Sequence, residues 1–117
     1  MDTVPSLAMA LAKIPDRDLN GLRAAIRGSP NAVPGLLAWL DHAVDWEVDR
    51  RAGRFYPLQG PRAAIDDAEF EGSLLILTML SEQFRHDGRE GSDAVADLLA
   101  LTAAVLRVEV ERPDALQ

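Results

Sequence analysis

Three aspartates at four-residue intervals, Asp41, Asp45 and Asp49, are the most suggestive chemistry in this sequence. On a helix that spacing lines the carboxylates along one side. Rows of carboxylates on adjacent helices can hold Mg²⁺, a hard cation that takes oxygen ligands. Asp66, Asp67, Glu69 and Glu71 offer a second row. Such a site would suit a small metal-dependent hydrolase of a phosphorylated substrate. The paired Glu-x-x-Glu and Glu-x-x-Asp spellings of helical nucleotide hydrolases are missing, however. The row also lies about 120° or more from the centre of its helix's apolar stripe, where water alone can solvate it. A solvated face is the expected reading, and no metal or other cofactor is assigned.

Two histidine pairs invite the same comparison. Glu82 and His86 are one helical turn apart, and His42 precedes Asp45 by three residues. Di-metal sites in helix bundles use a Glu-x-x-His motif on two helices and inward-facing glutamates on two others. Neither pair has that order or spacing, so helix-surface or helix-end histidines are expected. Serine nucleophiles lack a Gly-x-Ser-x-Gly elbow. No glycine-rich dinucleotide or phosphate-cradling loop is present.

The strongest local contrast lies elsewhere. Arg50, Arg51, Arg54 and Arg62 cluster around Phe55 and Tyr56 in an otherwise acidic chain. Arginine and aromatic side chains dominate binding hot spots, and guanidinium groups pair well with carboxylates or phosphates. These six residues form the candidate partner-binding set. Against it, arginines at a helix C-terminus favour the helix dipole, and Asp45, Asp49, Asp66 and Asp67 are near enough in sequence to pair with them. Trp39 and Trp46, seven apart, share one edge of a helix as core rim or contact face.

The elements that must position these residues follow from hydrophobic spacing and breakers. Val4, Leu7, Ala8, Leu11 and Ile14 predict a helix over 3–14, capped by Asp2 or Thr3 and stopped by Pro15. Asp16 is a suitable cap for a second helix over 17–27, with Leu19, Leu22 and Ile26 inward and Gly28 at its end. Arg17, Arg23 and Arg27 raise a DNA-reading helix-turn-helix, but its spacing is loose. After a turn at 29–35, Val33, Leu36, Leu37, Leu40, Val44 and Val48 predict a long helix over 32–52, ended by Gly53. Residues 53–65 read as a long ordered loop with Phe55, Tyr56 and Leu58 tucked beneath it.

Asp66 or Asp67 caps a fourth helix to about 85, and Ser92 or Asp93 a fifth over 93–111. Leu74, Leu75, Ile76, Leu77, Met79 and Leu80 surround the fourth helix with apolar side chains, so it is expected to lie at the centre, wrapped by the others. Val108 to Glu111 alternates briefly like a strand, and 113–117 reads as a frayed tail.

The chain has 117 residues, the size of one domain, and no cysteine. Disulfides, thiolate zinc sites and thiol catalysis are thereby excluded. A net charge of −7 argues against nucleic acid and is compatible with a basic protein partner. No signal peptide is apparent, and no apolar run approaches the roughly 20 residues a membrane span needs. The expectation is an all-α, single-domain bundle of about five helices, cytoplasmic and acidic. It would act as a non-catalytic protein-binding module of adaptor, antitoxin, immunity or inhibitor type. The apolar surface on helices three to five makes a homodimer reasonable.

Overall fold

Apolar residues recurring at three- and four-residue intervals form helices here because burying one stripe of each covers its neighbours' stripes. The computed structural model describes residues 3–28 and 34–111. It contains α1 (Thr3–Ala12), α2 (Asp16–Arg27), α3 (Pro34–Arg51), α4 (Phe70–His86) and α5 (Glu90–Glu111). Short 3-10 turns at Pro61–Ala64 and Asp67–Glu69 punctuate the α3–α4 connection. The all-α class of about five helices holds, with no strand among the described residues. The cap at Asp2, the turn at 29–33 and the tail at 113–117 fall outside those residues.

Leu7 and Leu11 of α1, Leu19, Leu22 and Ile26 of α2, and Leu36, Leu40 and Val44 of α3 share one core with α5. Helix α5 supplies Val95, Leu98, Leu99, Val105 and Leu106 and also buries Ala96, Thr102 and Ala103. Those positions cover two adjoining faces. Helix α5 is thus the one that packs against α1, α2, α4 and the turn at Pro61–Ala64. It begins at Glu90, three residues before the expected start, and the alternation from Val108 to Glu111 is helical.

The expectation of a wrapped fourth helix needs correcting. Helix α4 packs chiefly on α5 and the turn at Asp67–Glu69. Its fully inward residues are Ser73, Leu77, Leu80 and Ser81, whereas Leu75 is 61% exposed and Met79 50%. Two small polar residues thus share the inner positions with Leu77 and Leu80. The Ser81 hydroxyl donates to the Ala96 carbonyl of α5 at 3.1 Å, and that of Ser73 to its own helix at Glu69. With those hydroxyls satisfied, burying serine costs little.

Two further local expectations change. Pro15, in extended conformation, holds the cap position of α2 and makes no side-chain cap bond. Asp16, expected there, is the first helical residue and turns its carboxylate to Arg51. Gly91 lies so tight against the carboxylate of Asp18 that no Cβ would fit. Asp18 is buried and pairs with Arg89 at 3.0 Å, which docks the start of α2 on the start of α5. Asp66, expected with Asp67 as a cap of α4, instead caps the turn at Asp67–Glu69 by accepting the N–H of Glu69 at 3.1 Å, and Glu69 holds the cap position of α4 without a side-chain cap bond.

Candidate functional site

Helix α3 carries the aspartate row, both tryptophans, His42, Arg50 and Arg51, and its residues sort onto three sides. Its inner side holds Leu36, Leu40, Ala43 and Val44, and then Glu47, which is completely buried. Glu47 continues the i, i+3, i+4 series of that stripe, and this spacing was the available signal for it. A buried carboxylate must be paired. Arg50 grips it with two bonds of 2.8 Å, from Nε to Oε1 and from Nη2 to Oε2. Arg51 adds a third at 2.6 Å. Burial alone would push the Glu47 carboxyl up, but the hydrogen bonds from Arg50 and Arg51 outweigh it and hold the carboxyl below its ordinary range.

Arg51 reaches further. It bonds Asp16 and donates to the carbonyls of Leu11 at 3.1 Å and Ile14 at 2.5 Å. Those carbonyls lie at the end of α1 and in the turn beyond, where helical partners run out. This guanidinium therefore closes one helix, meets the start of the next and neutralises a third.

The second side of α3 faces α2. The Asp41–Asp45–Asp49 row stays in contact with water, as its distance from the apolar stripe suggested, with 32%, 47% and 28% of the three side chains exposed, but it is also paired. Arg27 bonds Asp41 at 3.1 Å, Arg23 bonds Asp45, and Arg54 bonds Asp49 at 2.7 Å. Each carboxylate already has a guanidinium, and two of the three arginines raised for DNA reading are engaged in this way. No group of three metal-ligating side chains occurs among the described residues. Glu82 and His86 both lie on the exposed part of α4.

The third side carries Trp39 and Trp46 and explains their spacing. Seven residues of helix rise about 10 Å, the length of about three residues of extended chain. The indole N–H of Trp46 donates to the carbonyl of Tyr56, and that of Trp39 to the carbonyl of Gln59, three residues on, at 2.7 Å. The loop is thereby pinned alongside α3, running against its direction. Gly53 makes the reversal possible: its φ of +92° strains any residue with a side chain.

Asp49 fixes the beginning of the pinned segment. Its backbone carbonyl accepts the Arg54 N–H at 2.8 Å. Its carboxylate accepts from the Arg54 side chain and, at 2.8 Å, from the Tyr56 hydroxyl. These bonds, Arg54's first, hold the Asp49 carboxyl below its ordinary value, and the bond to Asp49 pushes the Tyr56 hydroxyl up. The Tyr56 ring also lies 6.4 Å from the ring of His42.

Leu58 is buried as expected, whereas Tyr56, bonded to Asp49, stays 39% exposed instead of tucking beneath the loop, and Phe55 is 76% exposed. Phe55 was expected to tuck under the loop. Both its neighbours are tied to Asp49, while Phe55 itself faces solvent.

The six candidate residues therefore divide. Arg54, Phe55 and Tyr56 form one patch at the surface. Arg51 is engaged in holding helices together, and Arg50 is locked on Glu47 with its edge exposed. Arg62 belongs to a separate network. It bonds the Ile65 carbonyl and Asp67, the latter at 2.9 Å, and its backbone N–H donates to Glu109 at 3.4 Å. No protein family, no curated protein and no solved structure matches this chain. What the fold and site define is an all-α protein displaying Phe55, with Tyr56 beside it, on a braced loop. No described helix is long and apolar enough to cross a membrane.

Proposed function

We propose that this chain is a non-catalytic protein-binding module, of adaptor, antitoxin, immunity or inhibitor type, that docks on a partner through Phe55. One observation carries this reading: a large aromatic side chain, 76% exposed, stands on a loop held by both tryptophans and by Asp49. An anchor held in place before binding loses little conformational freedom on docking. Aromatic anchors in a partner's pocket are where binding energy concentrates. Arg54 and the edge of Tyr56 supply polar contacts around it. The net charge of −7 favours a partner with a basic surface. The absence of cysteine suits the reducing cytoplasm.

The test replaces Phe55 with a photo-crosslinking phenylalanine analogue and irradiates the full chain in extract of its own host. The expected result is one dominant protein adduct, suppressed by excess unlabelled wild-type chain but not by the Phe55→Ala chain. Adducts no stronger than those from the same analogue at exposed Ala38 would overturn the proposal.

A further inference from the structure

The charges beside Phe55 narrow the kind of pocket that receives it. Residues 50–65 contain four arginines and no acidic residue, in a chain with 19 aspartates and glutamates. Of the four, Arg54 adjoins Phe55 in the chain, and its side chain is 67% exposed. Its Nη2 donates to Oδ1 of Asp49. A guanidinium has five N–H donors, and the others of Arg54 meet no acceptor among the described residues. Asp49 is turned the opposite way. Its side chain is only 28% exposed, and its second oxygen is taken by the Tyr56 hydroxyl. Asp45, the next carboxylate along α3, is half-exposed and paired with Arg23. At the same end of α3, Arg50 keeps an exposed edge above a Glu47 that is fully buried.

We infer that the pocket receiving Phe55 carries a carboxylate at its rim, from an Asp or Glu of the partner protein, which takes the free edge of Arg54. This rests on the docking of Phe55 proposed above and adds the partner's charge at the contact. Docking Phe55 strips water from the adjoining side chain, and donors that lose water must find acceptors. A carboxylate matches a guanidinium edge with two parallel bonds. Asp49 holds the guanidinium from one side, so the free edge is oriented before the partner arrives. A phosphate would set up to two negative charges against a chain of net charge −7, whereas Arg54 alone compensates a single carboxylate. The net charge still favours a partner that is basic elsewhere, because it acts at longer range than this one contact.

The chain crosslinked through its Phe55 analogue in host extract tests this, with unlabelled full-length variants as competitors. Arg54→Gln keeps an amide donor toward Asp49 but loses the charge. It should need about 10-fold more competitor than wild type for half-suppression of the adduct, and Arg54→Glu about 100-fold more. Raising salt from about 50 to 300 mM should weaken wild type about fivefold and Arg54→Gln only about twofold. Both variants should keep the helical circular dichroism spectrum of wild type, since Arg54 is exposed, and either suffices should the other fail to fold. Three results would overturn the inference while leaving the docking of Phe55 intact. They are variants as potent as wild type, weakened variants with the wild-type salt dependence (a role in steadying the loop alone), and an adduct abolished by phosphatase treatment of the extract. Adducts no stronger than those from Ala38 would overturn the docking of Phe55 itself, and this inference with it.

Discussion

Two clusters on α3 are built from the same residue types a few positions apart and serve opposite ends. In one, Glu47 is fully buried and held by Arg50 and Arg51, and Arg51 extends to Asp16 and the end of α1. In the other, Asp49 at the surface takes Arg54 and Tyr56 and steadies the loop that displays Phe55. What separates them is the environment of the carboxylate. An anion removed from water makes its arginines obligatory, because a missing partner leaves a charge uncompensated. An anion still in contact with water binds its arginine weakly, since solvent and salt compete. One arginine–carboxylate group thus holds helices together, while the other orients a surface.

The largest test of this contrast is Glu47→Ala. It should destabilise the fold by about 3 kcal/mol and lower the unfolding midpoint by roughly 10 °C in calorimetry. An unchanged midpoint would mean that Asp16 and the backbone carbonyls suffice to hold Arg51. Acid provides a gentler probe. The folded-state carboxyl of Glu47 lies below its ordinary 4.5. The stability it contributes is therefore complete above that pH and declines as pH falls toward the folded value. Denaturant titrations between about pH 5 and pH 3 should show wild type losing stability more steeply than Glu47→Gln. Parallel curves would remove Glu47 from the account of acid sensitivity.

Smaller effects are expected around the loop. Trp46→Phe removes one donor to the Tyr56 carbonyl and should cost about 1 kcal/mol. It should also speed hydrogen exchange at the Arg54 amide, which bonds the Asp49 carbonyl, while amides of α5 keep their protection. Exchange that rises equally in α5 would show the loop to be part of the global folding unit. The smallest effect is expected from Arg54→Ala and Phe55→Ala. Both should leave the midpoint within about 1 °C of wild type, and Phe55→Ala should still abolish competition for the crosslinked adduct.

Much of this was legible in the sequence, and the failures have a common origin. Pro15 and Gly53 mark breaks, and Gly28 ends α2 with its N–H on the Ala24 carbonyl. The candidate patch was visible as arginine and aromatic residues in an acidic chain. Its division was not visible, because Arg51 is placed by Asp16, 35 positions away. Helix α4 was misplaced for a related reason. Its apolar run surpasses what one face can use, and hydrophobicity ranks Leu75 above Ser81. In the fold that order is reversed, with Ser81 buried on Ala96 and Leu75 exposed.

By itself, then, the sequence determined the number of helices, their breaks and their inward stripes, since these depend on interactions within a few residues of chain. It also supplied the seven-residue tryptophan spacing, though not its purpose. Only the tertiary structure decided how α4 is rotated about its axis, which carboxylate each arginine neutralises, and that Phe55 faces outward. Those outcomes depend on contacts between residues tens of positions apart, and local spacing carries no information about which distant groups will meet.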